Sequence, residues 1–346
     1  MTPCSVGESK LRLNSPRFRI CINFSHSGLR YEHSAYLWDV IDKMKKRKKI
    51  LLLIGIPILL TIWLFNLKSN LHFFCSTKGK LYNYEIKNQE TLCETSDIIV
   101  RQINIRRKGQ SVINRIINKI SRPALLYFEF KNNQNNFRVD YYKEGSTANS
   151  NINNGSKFSI NSAFYNSKFE PNGLIIVDGK KYGKSSNSSG HFKVIEGKAK
   201  AGPTSLFKSS QKPTFSCQSH PSVMKNGVIW DYILDESKNE TYWKSKTYRS
   251  LIGQNKNGNI CLIASGNGGL LSIKEITQVA KLNNIKTATC LDAGAALQYA
   301  YKVKDSNLSF SSMNNKISLG HTVDKIFSKL TGKRFYGESP AFINYK

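Results

Sequence analysis

Hydrophobic positions along this chain follow three successive patterns. Between Ile50 and Leu67 they run almost unbroken, ILLLIGIPILLTIWLFNL, with only Thr61 and Asn66 polar. Between Asn70 and Arg122 they become periodic. Val112, Ile113, Ile116, Ile117 and Ile120 share one face of a predicted helix that Pro123 stops. From Ala124 onward, short β-branched and aromatic runs alternate with polar turns. Ala124 to Phe130 and Phe137 to Tyr142 read as two strands joined by a polar hairpin connection. Thr147 to Ser156 and Ser185 to Gly190 are rich in Asn, Ser and Gly and read as loops. Lys157 to Ile160 leads as a strand into Asn161. Leu174 to Val177 runs into Asp178-Gly179, a tight-hairpin signal. Leu251 to Gln254 and Ile260 to Ala264 flank Lys256-Asn257-Gly258 as a second hairpin. Ser272-Ile273-Lys274-Glu275 is a capping box opening a helix with Ile273, Ile276 and Ala280 on one face, ending near Asn283-Asn284. Lys286 to Leu291 returns as a strand and delivers Asp292. Many strands with a few packed helices predict an α+β domain.

The unbroken run changes the picture of topology. It lies within the ~17–25 residues that span a bilayer, and its single Pro57 is tolerable in a membrane helix. Lys43-Met44-Lys45-Lys46-Arg47-Lys48-Lys49 precedes it, a pure cationic block that a buried core helix rarely carries. Such a block holds the N-terminus in the cytoplasm and sends the rest across. No small-residue cleavage pattern follows, so the expectation is a retained signal-anchor and a periplasmic or extracellular C-terminal domain. The predicted organisation is a cytoplasmic tail over 1–49, the span over 50–67, a linker with an amphipathic helix over 68–123, and one domain over 124–346. Residues 1–43 read either as a short tail or as an extension upstream of a true start at Met44.

The formal net charge of +29 fits nucleic-acid binding only superficially. Lys greatly outnumbers Arg, and the cations are spread along the chain with no recognisable binding module. The partners expected are carbohydrate or sugar phosphate and the membrane, with no specific nucleic acid. Of seven cysteines, five follow the span; a Cys75–Cys93 bridge would fit an oxidising compartment, though no spacing demands it, while Cys261 and Cys290 sit in apolar runs as small hydrophobes. No Cys/His spacing indicates zinc. No cofactor is predicted. A divalent metal is not excluded, because Asp292 and nearby carbonyls are suitable oxygen ligands.

Four segments carry candidate chemistry: Asn161-Ser162-Ala163-Phe164-Tyr165, Gln218-Ser219-His220-Pro221, Arg249-Ser250 and Leu291-Asp292-Ala293-Gly294. Each sets a polar or charged residue beside small ones at a predicted strand end, where backbone can approach a ligand. Asp292 offers a carboxylate, and the planar fork of Arg249 matches two phosphate oxygens. His220 reads more simply as a loop histidine than as a catalytic base.

In order and spacing these segments resemble the phosphodiester glycosidase family, over roughly Ala124 to Lys346. The resemblance implies hydrolysis of a sugar-1-phosphodiester. Asp292, in a stretch similar to the family's Leu-Asp-Gly-Gly, would be nucleophile or water-activating base. Arg249, in a stretch similar to Arg-Thr-Ala-x-Gly, would be the phosphate ligand. Asn161, Phe164, Gln218, Ser219, His220 and Gly294 would line the substrate site, Asn161 orienting substrate. The chain departs from the pattern with Ser162-Ala163 for a Gly pair, His220 for Gly, Ala293 for Gly and Ala296 for a common Ser. Added atoms at such positions imply a narrower pocket, a different substrate, or a glycan- or phosphate-binding module that no longer turns over.

Overall fold

The structure is a computed structural model that describes residues 84–107, 124–131, 134–166, 168–234, 247–312 and 337–346. The predicted tail, the span over 50–67 and the helix around Val112 lie outside these residues. Among the described residues no helix is long and apolar enough to cross a membrane.

Three sheets build the domain, and their strand pairs are antiparallel. The largest has the spatial order β1 (Tyr84–Glu94), β2 (Ile98–Arg107), β3 (Ala124–Phe130), β14 (Ile260–Ser265), β13 (Ser250–Asn255), β15 (Ile285–Cys290), β11 (Ser222–Lys225), β12 (Val228–Ile229). The second runs β7 (Lys180–Tyr182), β6 (Ile175–Val177), β10 (Phe215–Ser219), β8 (Gly190–Ile195), β9 (Lys198–Pro203). The third runs β17 (Ser306–Ser311), β16 (Gln298–Val303), β5 (Phe158–Asn161), β18 (Ser339–Tyr345), β4 (Phe137–Ser146). Three α-helices, α1 (Ala148–Asn153), α2 (Asp231–Leu234) and α3 (Ile273–Leu282), and two short 3-10 turns, Thr204–Leu206 and Gly294–Ala296, complete the described elements.

The large sheet is a middle layer. Leu251, Cys261 and Ile263 on one face pack with Ile273, Ile276 and Val279 of α3. Phe128 and Leu262 on the other face meet Phe192 and Cys217 of the second sheet and Phe158 and Tyr299 of the third. Helix α3 starts where the sequence predicts. Ser272 Oγ accepts the Glu275 N–H at 3.2 Å, and the Glu275 carboxylate accepts the Ser272 N–H at 2.8 Å.

Three expectations are corrected. Ala124–Phe130 and Phe137–Ser146 do not form a hairpin: β3 pairs with β2 and β14, and β4 with β18. The polar connection crosses between layers, and the Phe130 and Phe137 rings meet 5.0 Å apart in the shared core. Polar composition marks a turn but does not distinguish an arch between sheets from a hairpin within one. The loop expected over Thr147–Ser156 contains α1. Thr147 caps it, and Asn151 is buried between the Tyr142 hydroxyl and Ser159 Oγ, tertiary bonds that stabilise a helix of low propensity. The region read as linker holds β1 and β2, the outer hairpin of the large sheet, with β2 paired to β3. The polar face of an edge strand concealed it.

Candidate active site

The end of β15 is where the three sheets meet. Leu291 N–H donates to the Ser250 carbonyl at 3.1 Å, continuing the β13–β15 pairing. The next cross-strand bond runs from Gly294 N–H to the Tyr248 carbonyl at 2.9 Å. Arg249 therefore stands opposite Asp292 and Ala293, two residues against one, which is a bulge. Strand alternation carries Arg249 and Asp292 toward the face that holds Leu251 and Cys290. Gly294 closes the turn at φ +68, a left-handed conformation that favours glycine.

The other segments attach to this turn. Asp292 N–H donates to the Ser162 carbonyl at 3.1 Å, and Asn161 Nδ2 donates to the Asp292 carbonyl at 3.1 Å. Asn161 Oδ1 accepts the Gln298 N–H at 2.9 Å. Asn161 is fully buried and both ends of its amide are bound to backbone, so its work is to hold the Asp292 turn; the expectation was contact with substrate. From the second sheet, Ser219 Oγ lies 3.0 Å from Thr289 Oγ1, and the Pro221 carbonyl accepts the Cys290 N–H at 2.8 Å. Thus all four segments are hydrogen-bonded around the last residues of one strand and its following turn.

The Asp292 carboxyl is buried. Desolvation pushes its pKa up to about 7, against the Ala293 N–H, which donates to Oδ1 at 2.9 Å and lowers it. Arg249 is buried too. Its Nε donates to the Leu271 carbonyl at 3.4 Å, and its charge counters the burial that pushes the Cys290 thiol up to about 12. Cys261 and Cys290 are buried free thiols, as expected of small hydrophobes. Cys93 is also free, its thiol 3.8 Å from the Val303 carbonyl, and Cys75 lies outside the described residues.

The remaining expected site residues divide. Gln218 is buried, with Oε1 accepting from Leu174 N–H at 2.6 Å and Ser186 N–H at 3.0 Å, and Nε2 donating to the Ser186 carbonyl at 3.1 Å. It pins the serine-rich loop before β8. Phe164 and Gly294 are partly exposed, and His220 is exposed. His220 Nδ1 lies 3.3 Å from Ser189 Oγ, and partial burial lowers its pKa. Sequence reasoning passed over Ser189, Ser222 and Tyr232. Ser189 Oγ accepts the Ser222 N–H at 2.8 Å, and the Tyr232 hydroxyl donates to the Ser222 carbonyl. Isolated serines in a polar loop carry no signal until the fold assembles them. Among the described residues no group of three or more His, Cys, Asp or Glu is placed to hold a metal ion.

The departures from the family pattern fit the backbone. Ala293 lies at φ −144, and Ser162, Ala163 and His220 are not among the described residues with positive φ. A Cβ at these positions adds atoms without left-handed strain.

Residues 152–323 match the sequence model of the phosphodiester glycosidase family, and over that stretch the chain is similar to it. The fold is similar to that of the zebrafish N-acetylglucosamine-1-phosphodiester alpha-N-acetylglucosaminidase catalytic domain, a structure auto-inhibited by its pro-peptide. The identity is 13%, covering 77% of this chain and 88% of that one, with a TM-score of 0.52. A hypothetical protein from Synechocystis is 10% identical over 75% of this chain and 64% of its own, with a TM-score of 0.45. No curated protein matches.

Proposed function

We propose that this domain hydrolyses a sugar-1-phosphodiester of a cell-envelope or exopolysaccharide glycan, held at the membrane by the span over 50–67 with the domain outside the cytoplasm. The observation that carries the reading is the buried Asp292 carboxyl, titrating near neutrality at the junction of three sheets, in a bulge opposite Arg249. Ordinary glycosidases need a second carboxyl because an alcohol leaving group must be protonated. A phosphate ester departs as a stable anion, so one carboxylate and one phosphate clamp suffice. Asp292 then serves as nucleophile or as base toward water, and Arg249 neutralises the phosphate as the anomeric C–O bond breaks.

The test is turnover of an activated sugar-1-phosphodiester by the detergent-solubilised chain across pH. Because the acting form is the carboxylate and burial raises its pKa, kcat/KM should rise with pH and level off above about 7. A rate that is flat from pH 5 to 8 removes Asp292 from this role. Protease added to intact spheroplasts should digest the domain; full protection would reject the topology.

A further inference from the structure

The inner face of the second sheet is apolar, with Phe192, Val194, Ala199 and Ala201 in the core. Its outer face is the reverse. Strand register sets Lys200 opposite Lys193, Lys193 opposite Ser216, Ser216 opposite Ile176 and Ile176 opposite Lys181. Three lysines thus lie in one row across five strands, with the buried Ser216 and Ile176 between Lys193 and Lys181. At ~4.8 Å between strands the row is about 19 Å long. Residues 175–219 hold eight lysines against two acids, Asp178 and Glu196, each in a hairpin turn. Among the described residues the ion pairs are Lys131–Glu94 and Arg138–Asp140, neither of them here. Like charges directly opposite one another destabilise a sheet, so Lys193 against Lys200 is a cost that a bound anion would relieve.

A second, independent observation lies in the same face. His191, two residues before Lys193, is 8% exposed, and its Nδ1 is buried without a hydrogen-bond partner. Its ring meets Phe207 edge-on with centroids 5.8 Å apart, and the Lys193 ammonium sits 4.7 Å over that same ring. A buried polar atom with no partner beside unpaired cations marks a place where a ligand group is expected. β8 also links this face to the active site. It begins at Gly190, where a Cβ would collide with Thr289 Oγ1 and Ser222 Oγ. Lys193 is three residues along, about 10 Å away.

We propose that the outer face of the second sheet binds the flanking phosphates of a polymeric, phosphodiester-linked glycan whose end occupies the Asp292 site, with His191 Nδ1 engaging a hydroxyl of the polymer. This rests on the sugar-phosphodiester reading of that site. A linear row of cations suits successive phosphates better than one small ester. Nucleic acid fits less well, since single strands are held by open aromatic platforms and Phe207 is capped by Lys193.

The probe is poly(glycerol phosphate), with glycerol phosphate as the monomer, bound to the full solubilised chain carrying Asp292→Asn so that turnover does not interfere. The triple variant Lys181→Gln/Lys193→Gln/Lys200→Gln should weaken polymer binding on the order of 10²-fold at low salt and flatten its salt dependence. The Lys→Arg triple should retain binding, which separates lost charge from misfolding. His191→Phe should weaken the polymer severalfold. With Asp292 intact, the Gln triple should turn over a small sugar-1-phosphate ester at the wild-type rate. Unchanged polymer affinity in the Gln triple overturns the proposal, as does a wild type that holds polymer no better than monomer. Single-stranded DNA of equal charge binding as tightly, and as sensitively to His191→Phe, overturns the glycan assignment. If the wild type turns over no small ester yet the Gln triple loses polymer, the hydrolase reading fails and the binding face stands.

Discussion

The start and the middle of β8 teach different lessons. At Gly190 the strand enters a dry junction whose polar side chains, Ser162 Oγ apart, are largely committed to backbone or to one another, and where burial lifts Asp292 to about 7. At Lys193 it presents cations that meet no carboxylate among the described residues. Chemistry at one carboxylate requires preorganisation and exclusion of water, which make a charge reactive and costly. Retention of a long anion requires solvated charges in a line, individually weak and jointly additive. The dry end should therefore be fragile to single substitutions. The wet end should respond only to several at once.

The largest effect expected is at Asp292. Asp292→Asn keeps an oxygen that accepts the Ala293 N–H and deletes the negative charge, so turnover should fall by about 10²–10⁴-fold. Stability should move the other way. A folded-state pKa of about 7 against an ordinary value of 3.8 means that the native protein holds its proton more tightly, and wild-type stability declines as pH rises between those values. The Asn variant lacks this slope. Its advantage should be near zero at pH 4 and reach up to about 4 kcal/mol at pH 8. Melting curves at both pH values measure it, and a wild type more stable than the variant at pH 8 would break the contrast between dry and wet ends.

Asn161 comes next. It touches both Asp292 and Gln298 backbone, so Asn161→Ala strips the Gln298 N–H of its side-chain acceptor in the interior and leaves the Asp292 carbonyl only Ser250 Oγ at 3.5 Å. The cost should be about 1–3 kcal/mol in stability, and a displaced Asp292 should lower kcat by roughly 10²-fold. KM should stay near wild type, because Asn161 is fully buried. A large rise in KM with kcat intact would restore the role of substrate ligand.

Arg249→Ala should weaken binding of a sugar-1-phosphate by about 10- to 150-fold, the range for a charge-assisted bond worth about 1.5–3 kcal/mol. Arg249→Lys keeps the charge and loses the fork, and should recover part of that. Equal binding in all three proteins, followed by calorimetry, would leave Arg249 a structural cation tied to Leu271.

What the sequence disclosed and what it concealed follow the same division between local and distant causes. Helix α3 was legible because Ser272 and Glu275 bond each other within one turn. The β6–β7 hairpin was legible because Asp178 at φ 48 and Gly179 at φ 76 form its turn. The candidate residues were legible by their resemblance to a family pattern, but their division of labour was not. Asn161 reaches Asp292 across 131 positions, and Gln218 reaches the Ser186 loop across 32. The arch from β3 to β4 and the outer β1–β2 hairpin were hidden for the same reason, since layer membership is decided by distant partners.

The smallest effect expected is at Ala293, and it tests whether the dry end tolerates its departures from the family. Glycine is favoured where φ is positive, as at Gly294, and Ala293 lies at φ −144 in extended backbone. Restoring glycine therefore relieves no strain. It enlarges the freedom of the unfolded chain, so Ala293→Gly should cost about 0.4–1 kcal/mol in stability. The Ala293 N–H remains to bond Asp292 Oδ1, so turnover should change by less than about tenfold. Gly294→Ala in the same turn forces a side chain to φ +68 and should cost more. If Ala293→Gly with Ala296→Ser instead creates activity in a wild-type protein that only binds, the added side chains have closed the pocket. The dry end would then be a second binding surface and not a catalytic one.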